Sequence, residues 1–226
     1  MNVINYYFEI CKDDMLVRNA SSKDLHEIAK VHIACFPDYF STRVGKKNNG
    51  YLLKRLYEEY FKDFPGLFVV LEDDNGKIVG FCSGSLLDIT GHQGRFIRNN
   101  RVKVLSRVAW LLLKGDSLAW TRLRQRYKKP VYKIIDHSFK GLPKTEIGDL
   151  VSICVLPEYR GKQFSGELMK RFVQNMRDLG RKVCLVSMHS DNKRAMSFYS
   201  KFGFILYRYI GDSVITYWKD LRMADE

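Results

Sequence analysis

The chain has 226 residues, 46% of them hydrophobic, and a formal net charge of +13 at pH 7. That is long and apolar enough to bury a full core, and one domain over residues 1–226 with an insertion is the expected organisation. Five cysteines, Cys11, Cys35, Cys82, Cys154 and Cys184, are odd in number and sit mostly among apolar neighbours, which argues against a disulfide framework or a zinc site.

In chain order, residues 1–14 read as an extension, and Met15–Arg18 as a short strand. Ser21 or Ser22 can cap a helix carrying Leu25, Ile28, Ala29, His32 and Ile33 at helical spacing, stopped by Phe36-Pro37. Leu52, Leu53, Leu56, Tyr57 and Tyr60 mark a second helix, ended by Pro65-Gly66. Strands at Leu67–Leu71 and Lys77–Phe81 flank the turn Asp73-Asp74-Asn75-Gly76. Residues from about 88 to 143 break the pattern and read as a basic insertion, expected to be two helices over the domain. Order resumes with a buried strand at Leu150–Leu156. An amphipathic helix from Leu168 to Leu179, a buried strand at Val183–Val186 and a short helix through Ala195, Phe198, Tyr199 and Phe202 follow. Strands at Phe204–Tyr209 and Val214–Trp218 close the chain. Alternating strands and helices predict an α/β or α+β fold.

The turn Leu156-Pro157-Glu158-Tyr159-Arg160-Gly161-Lys162-Gln163-Phe164-Ser165-Gly166 joins a buried strand to a helix. Several N–H groups at a helix N-terminus, with Arg160 and Lys162, suit a pyrophosphate. Glycines there can equally serve only to relieve crowding. This segment, preceded by Asp149–Val155, resembles the main cofactor motif of the GNAT N-acetyltransferase superfamily. Asp191-Asn192-Lys193-Arg194-Ala195-Met196-Ser197-Phe198-Tyr199-Ser200-Lys201-Phe202-Gly203-Phe204 resembles its second motif, and Leu16–Ala20 followed by Asp24 is similar to the way such domains begin.

The resemblance implies a mixed, mostly antiparallel central sheet with two splayed parallel strands, at 149–155 and 183–188, flanked by helices and carrying the helical insertion. It implies acetyl-CoA as cosubstrate. The pantetheine arm would pair with the backbone of Ile153, Cys154 and Val155. The pyrophosphate would lie on the amides of Arg160, Gly161, Lys162, Gln163, Phe164, Ser165 and Gly166. Asn192 and Tyr199 would meet the cofactor, with Tyr199 protonating the departing thiolate. Family members commonly carry Gly at the position of Gln163 and Gly or Ala at that of Ser165. The larger side chains either crowd the phosphates or point outward. Asp149 aligns with an acidic position used as a base by some members, and Glu146 is the alternative; either can equally be a solvated carboxylate at a strand edge. His189 is a further proton relay candidate or a polar end to its strand. No metal-ligand spacing or serine-hydrolase elbow is present.

From Arg95 to Lys133 twelve Lys or Arg stand against one acid, Asp116. Such a field attracts phosphate esters, nucleic acid or acidic lipid. It suggests a small amine acceptor bearing phosphate, such as a nucleotide-linked amino sugar. The Phe36-Pro37 segment and following Leu/Tyr helix resemble bacterial members associated with surface-sugar biosynthesis. The alternative is a GNAT-like binding module. Val102, Leu105, Ala109, Leu112 and Leu113 share a helical face edged by Arg101, Lys103, Arg107, Lys114 and Trp110, as in a helix lying on an anionic membrane. A lid packed on the domain fits the same residues. No recognised motif supports nucleic acid, and a homodimer stays open. No signal peptide or spanning segment is discernible, so the chain reads as cytoplasmic.

Overall fold

The computed structural model describes residues 15–37, 47–125, 131–139 and 141–223. The predicted N-terminal extension, Cys11, residues 38–46 and residues 126–130 lie outside the described residues. The strands are β1 (Leu16–Asn19), β2 (Phe68–Glu72), β3 (Ile78–Leu86), β4 (Tyr132–Ile134), β5 (Ile147–Val155), β6 (Val183–His189), β7 (Ile205–Ile210) and β8 (Val214–Asp220). The helices are α1 (Leu25–Cys35), α2 (Lys47–Asp63), α3 (His92–Asn99), α4 (Arg101–Leu113), α5 (Ser117–Gln125), α6 (Phe164–Asp178) and α7 (Lys193–Lys201).

The strands form one sheet in the order β1-β2-β3-β5-β6-β8-β7-β4. Every neighbouring pair is antiparallel except β5 and β6. This is the mixed α/β sheet expected from the sequence. Alternation along β3 divides the helices between the two faces. Phe81 points to α1 and α2, where its ring meets His32 and Tyr57. Gly80 and Gly84 point to α6: a Cβ on Gly84 would stand 2.5 Å from the Phe172 ring and 2.8 Å from the Asp149 carbonyl oxygen. Glycine at 84 is therefore a condition for the α6 packing distance. The core runs through both layers and includes Ile28, Leu67, Phe68, Phe81, Leu168 and Phe172, none more than 2% exposed.

β5 and β6 pair only from Ile147–Leu150 against Val183–Val186. Beyond Leu150, β5 continues along β3 and β6 continues along β8, so the two diverge. The β3–β5 register explains where. Ser83 faces Ser152 while Gly84 faces Leu150, which leaves Val151 as an extra residue. A bulge of this kind bends its strand and strengthens the local twist, here carrying β5 away from β6. The strand expected to be buried throughout is consequently open in its middle, with Val151 42% exposed.

The insertion differs from expectation. Among the described residues it contains three helices, α3, α4 and α5, followed by β4, which pairs with β7 at the sheet edge. The extra strand was hidden because Tyr132-Lys133-Ile134 is too short to show alternation. α3 and α4 lie against α2, with Phe96, Leu111 and Ala119 packed on Leu52. Among the described residues no helix is long and apolar enough to cross a membrane.

Substituting Gly84→Ala should lower the unfolding free energy by about 1–3 kcal/mol through overpacking against Phe172. Urea denaturation with an unchanged m-value is the measurement, and an unchanged midpoint would show that α6 yields without cost.

Candidate active site

The divergence of β5 and β6 leaves main-chain groups without a neighbouring strand. Leu156 N–H donates to the Val79 carbonyl, so by antiparallel alternation Cys154 and Leu156 bond toward β3 while Ile153 and Val155 turn their amides toward the gap. A cavity of about 240 Å³ opens there, lined by Ile153, Cys154, Val155, Arg160, Ser165, Asn192 and Tyr199, with Cys35, Phe36, Arg194, Ala195 and Phe198. Seven residues singled out from the sequence thus share one cavity. The Val155 carbonyl at its end accepts from Arg160 Nε at 2.9 Å and from the Cys35 thiol at 3.6 Å.

The turn after β5 positions the start of α6. Gly161 has φ +88 and Gln163 has φ +65, the one non-glycine residue with positive φ among those described. Gln163 adopts the left-handed backbone for which glycine is the unstrained choice. Its carbonyl accepts from the Gly166 amide at 2.8 Å and the Glu167 amide at 3.3 Å, which holds the conformation. The side chains of Lys162 and Gln163 are exposed, whereas Phe164 is buried in the core and only its backbone can serve the turn. Ser165, in contrast, lines the cavity. The positive end of α6 and Arg160 give this mouth the electrostatics of an anion site.

α7 supplies the other wall. Asn192 caps it, its Oδ1 accepting from the Ala195 amide at 3.0 Å. That cap orients the first turn so that Ala195 and Tyr199, four residues apart, face the gap. Tyr199 is only 7% exposed and packs edge-on against Phe204. It also borders a second cavity of about 370 Å³, on the α1–α2 side, together with Ile153, Asn192 and Ala195. The two cavities meet at these side chains.

The second cavity has apolar walls from Phe36, Leu53, Leu56, Tyr57, Tyr60, Val151 and Met188, and polar groups from His32, Ser83, Gln93, Ser152 and Ser187. His32 Nδ1 and the Tyr57 hydroxyl hydrogen-bond at 2.7 Å. Burial pushes the imidazole down to about 4 and the Tyr57 phenol well up, so both are neutral at physiological pH. Gln93, from the insertion, donates through Nε2 to the Tyr60 hydroxyl at 2.8 Å. The sequence marked His32 and Tyr57 only as members of helical apolar faces. The available signal was a polar ring on each such face, since a buried His needs a partner.

Asp149 lies in β5 two residues before the bulge, in the electrostatic field of Tyr60 and Arg208. Burial pushes its carboxyl up to about 7, against a downward pull from the Arg208 guanidinium. Glu146 precedes β5, at the end away from the gap, and its Oε1 accepts from Lys182 Nζ at 2.7 Å. His189, at the end of β6, is exposed, and none of Asp149, Glu146 and His189 lines either cavity. In the 240 Å³ cavity, burial drives the Cys154 thiol well above its ordinary range. Its hydrogen bond to Cys35, with the Arg160 guanidinium nearby, draws the Cys35 thiol down to about 7. Among the described residues no group of three His, Cys, Asp or Glu side chains is arranged to hold a metal ion.

Known proteins share this architecture. No curated protein matches the chain in sequence. Solved structures do match in fold. The putative acetyltransferase yncA from Salmonella typhimurium, solved with its cofactor acetyl-CoA, is 14% identical, with 92% of this chain and 94% of that one covered and a TM-score of 0.54. An N-acetyltransferase from Staphylococcus aureus is 14% identical over 92% and 98% of the two chains, with a TM-score of 0.54. The PaiA N-acetyltransferase from Thermoplasma acidophilum, in complex with coenzyme A, is 15% identical over 91% and 98%, with a TM-score of 0.52. Residues 25–204, which span both cavities and the turn between β5 and α6, match the acetyltransferase (GNAT) family, and the chain belongs to that family.

Proposed function

We propose that the chain transfers the acetyl group of acetyl-CoA to a primary amine held in the α1–α2 cavity. The observation that carries this reading is the meeting of the two cavities at Tyr199. The 240 Å³ cavity offers what an extended, anionic thioester needs: strand backbone along Ile153 and Val155, then the helix N-terminus with Arg160 at the mouth. The amine enters from the other side, loses a proton, and its nitrogen forms a bond to the thioester carbonyl carbon. The carbon–sulfur bond breaks, and the Tyr199 hydroxyl donates a proton to the leaving sulfur.

Asp149 fits the base role better than Glu146. A carboxyl at about 7 is poised to accept a proton at neutral pH, and its field reaches Tyr60 at the cavity wall. Glu146 is instead engaged by Lys182. Apart from the reacting amine, the acceptor's enclosed part is uncharged, because no residue lining the 370 Å³ cavity carries a charge at neutral pH and His32 is itself neutral. An acceptor with phosphate, such as a nucleotide-linked amino sugar, would keep that phosphate outside, toward the basic helices. The surface-sugar grouping rests on the Phe36-Pro37 segment, whose Phe36 borders both cavities.

Three measurements test this reading. Acetyl-CoA should raise the melting temperature of the wild type and of Tyr199→Phe, by about 2.7 kcal/mol of added stability at a hundredfold excess over Kd. Gly161→Glu, which sets a side chain at φ +88 and a negative charge beside the phosphates, should abolish the shift. No shift in wild type at millimolar acetyl-CoA would overturn the reading.

For the chemistry, kcat/KM should rise with pH through about 7, since the base acts in its deprotonated form. Asp149→Asn should remove that limb and cost about 100-fold or more in kcat, with a similar loss for Tyr199→Phe. Glu146→Gln should leave the rate within about twofold; the converse result would move the base to Glu146.

Cys35 provides a footprint. Its low thiol value predicts alkylation by iodoacetamide near neutral pH, slowed by saturating acetyl-CoA. Alkylation unaffected by acetyl-CoA, detected by intact mass, would place the cosubstrate elsewhere.

A further inference from the structure

α4 has two apolar sides. At 100° per residue, Val104, Val108 and Leu111 fall together and pack inward on Leu52 and Phe96. Val102, Leu105, Ala109 and Leu113 fall on the opposite side and face outward, with Val102 80%, Leu105 54% and Leu113 87% exposed. A face packed on the domain and an outward apolar face thus occur on one helix. α5 extends the outward strip. The Trp120 indole donates to the Leu112 carbonyl at 3.2 Å, seating this 43% exposed ring beside α4, with Leu123 one turn further on.

The strip is edged by cations. Lys114 lies on one flank and Arg101 on the other, the Arg107 guanidinium stands 4.3 Å from the centroid of the half-exposed Trp110 ring, and Lys103 turns toward α2, its Nζ 4.3 Å from the centroid of the Tyr51 ring. Between Gly91 and Gln125 the only acid is Asp116, and its carboxylate accepts the Ala119 amide at 3.0 Å as the start of α5. The segment as a whole therefore carries a positive field. Glu59 and Asp63, on α2, are engaged by Arg95 rather than by the outer flank.

We infer that the outward face of α4 and α5 docks on an anionic lipid bilayer. Aliphatic residues enter the acyl boundary, tryptophans sit at headgroup level, and the flanking Lys and Arg meet lipid phosphates. α4 is 13 residues long, about 20 Å, so it lies in the interface plane and does not cross it. A second copy of the chain would set like charge against like charge. A nucleic acid backbone would answer the cations but leave Val102, Leu105 and Leu113 in water. This inference stands independently of the acceptor assignment.

The test is co-sedimentation of the full chain with vesicles of mixed phosphatidylglycerol and phosphatidylcholine, against phosphatidylcholine alone. The wild type should partition onto the anionic vesicles and lose most binding at high salt. Arg101→Gln and Lys114→Gln should each weaken partitioning about fivefold. Leu105→Ser and Leu113→Ser should each weaken it about tenfold or more, with the thermal shift by acetyl-CoA intact as the check on folding. Trp110 and Trp120 emission should move to the blue on anionic vesicles, while Trp218, only 6% exposed, contributes a constant background. Equal partition onto neutral vesicles, or none on anionic ones at low salt, would overturn the proposal. So would a dimer in sedimentation velocity, or tight duplex binding, that the two Leu→Ser changes abolish.

Discussion

The site depends on the failure of two adjacent strands to stay paired. In a sheet every interior main-chain amide and carbonyl is normally spent on a neighbour, and a gap leaves such groups in need of another partner. Here the single extra residue at Val151 turns β5 away from β6, and Ile153 and Val155 are left facing open space. The cost is held down by local substitutes: Arg160 and Cys35 both bond to the Val155 carbonyl. The same gap is what allows α7 to present Tyr199 between two cavities. A regular β5 would close the cleft and bury the site.

Precision at the cleft is obtained at some conformational expense. Gln163 sits in the left-handed region, a placement of order 1–3 kcal/mol for a non-glycine side chain when strained. Two amides bonded to its carbonyl and the buried Phe164 next to it hold it there. Across the gap, His32 and Tyr57 line the larger cavity as neutral polar groups, with the Phe81 ring packed against both. Elsewhere on β5, burial and the Arg208 guanidinium pull the protonation of Asp149 in opposite directions.

Much of this was legible in the sequence because it is local. The turn from Leu156 to Gly166 and the helix from Asp191 carry their meaning in residue order, and strand positions follow from apolar runs such as Val183–Val186. What escaped is what depends on pairing across the chain. The bulge at Val151 is a mismatch with Ser83 and Gly84, some seventy residues earlier, and no feature of Val151 itself announces it. β4 exists only because β7 receives it. His32 and Tyr57 are separated by 25 positions and acquire a shared role only when α1 and α2 meet. Likewise the composition of α4 fitted both a lid and a surface helix, since burial of one face is decided by α2, not by α4.

The return of the insertion to the sheet also protects the molecule from itself. β4 covers β7 with three residue pairs, and the indole of Trp218 donates to Asp136 at 2.8 Å just beyond it. The outermost strand is therefore three residues long and carries Lys133, a poor template for strand addition. A natural or engineered shortening that removed the whole basic segment would uncover β7, six residues with Ile205 and Tyr209 already exposed, as a free edge. Masking of this sheet edge is thus tied to the segment that carries the basic helices, and removing them together with β4 would uncover it.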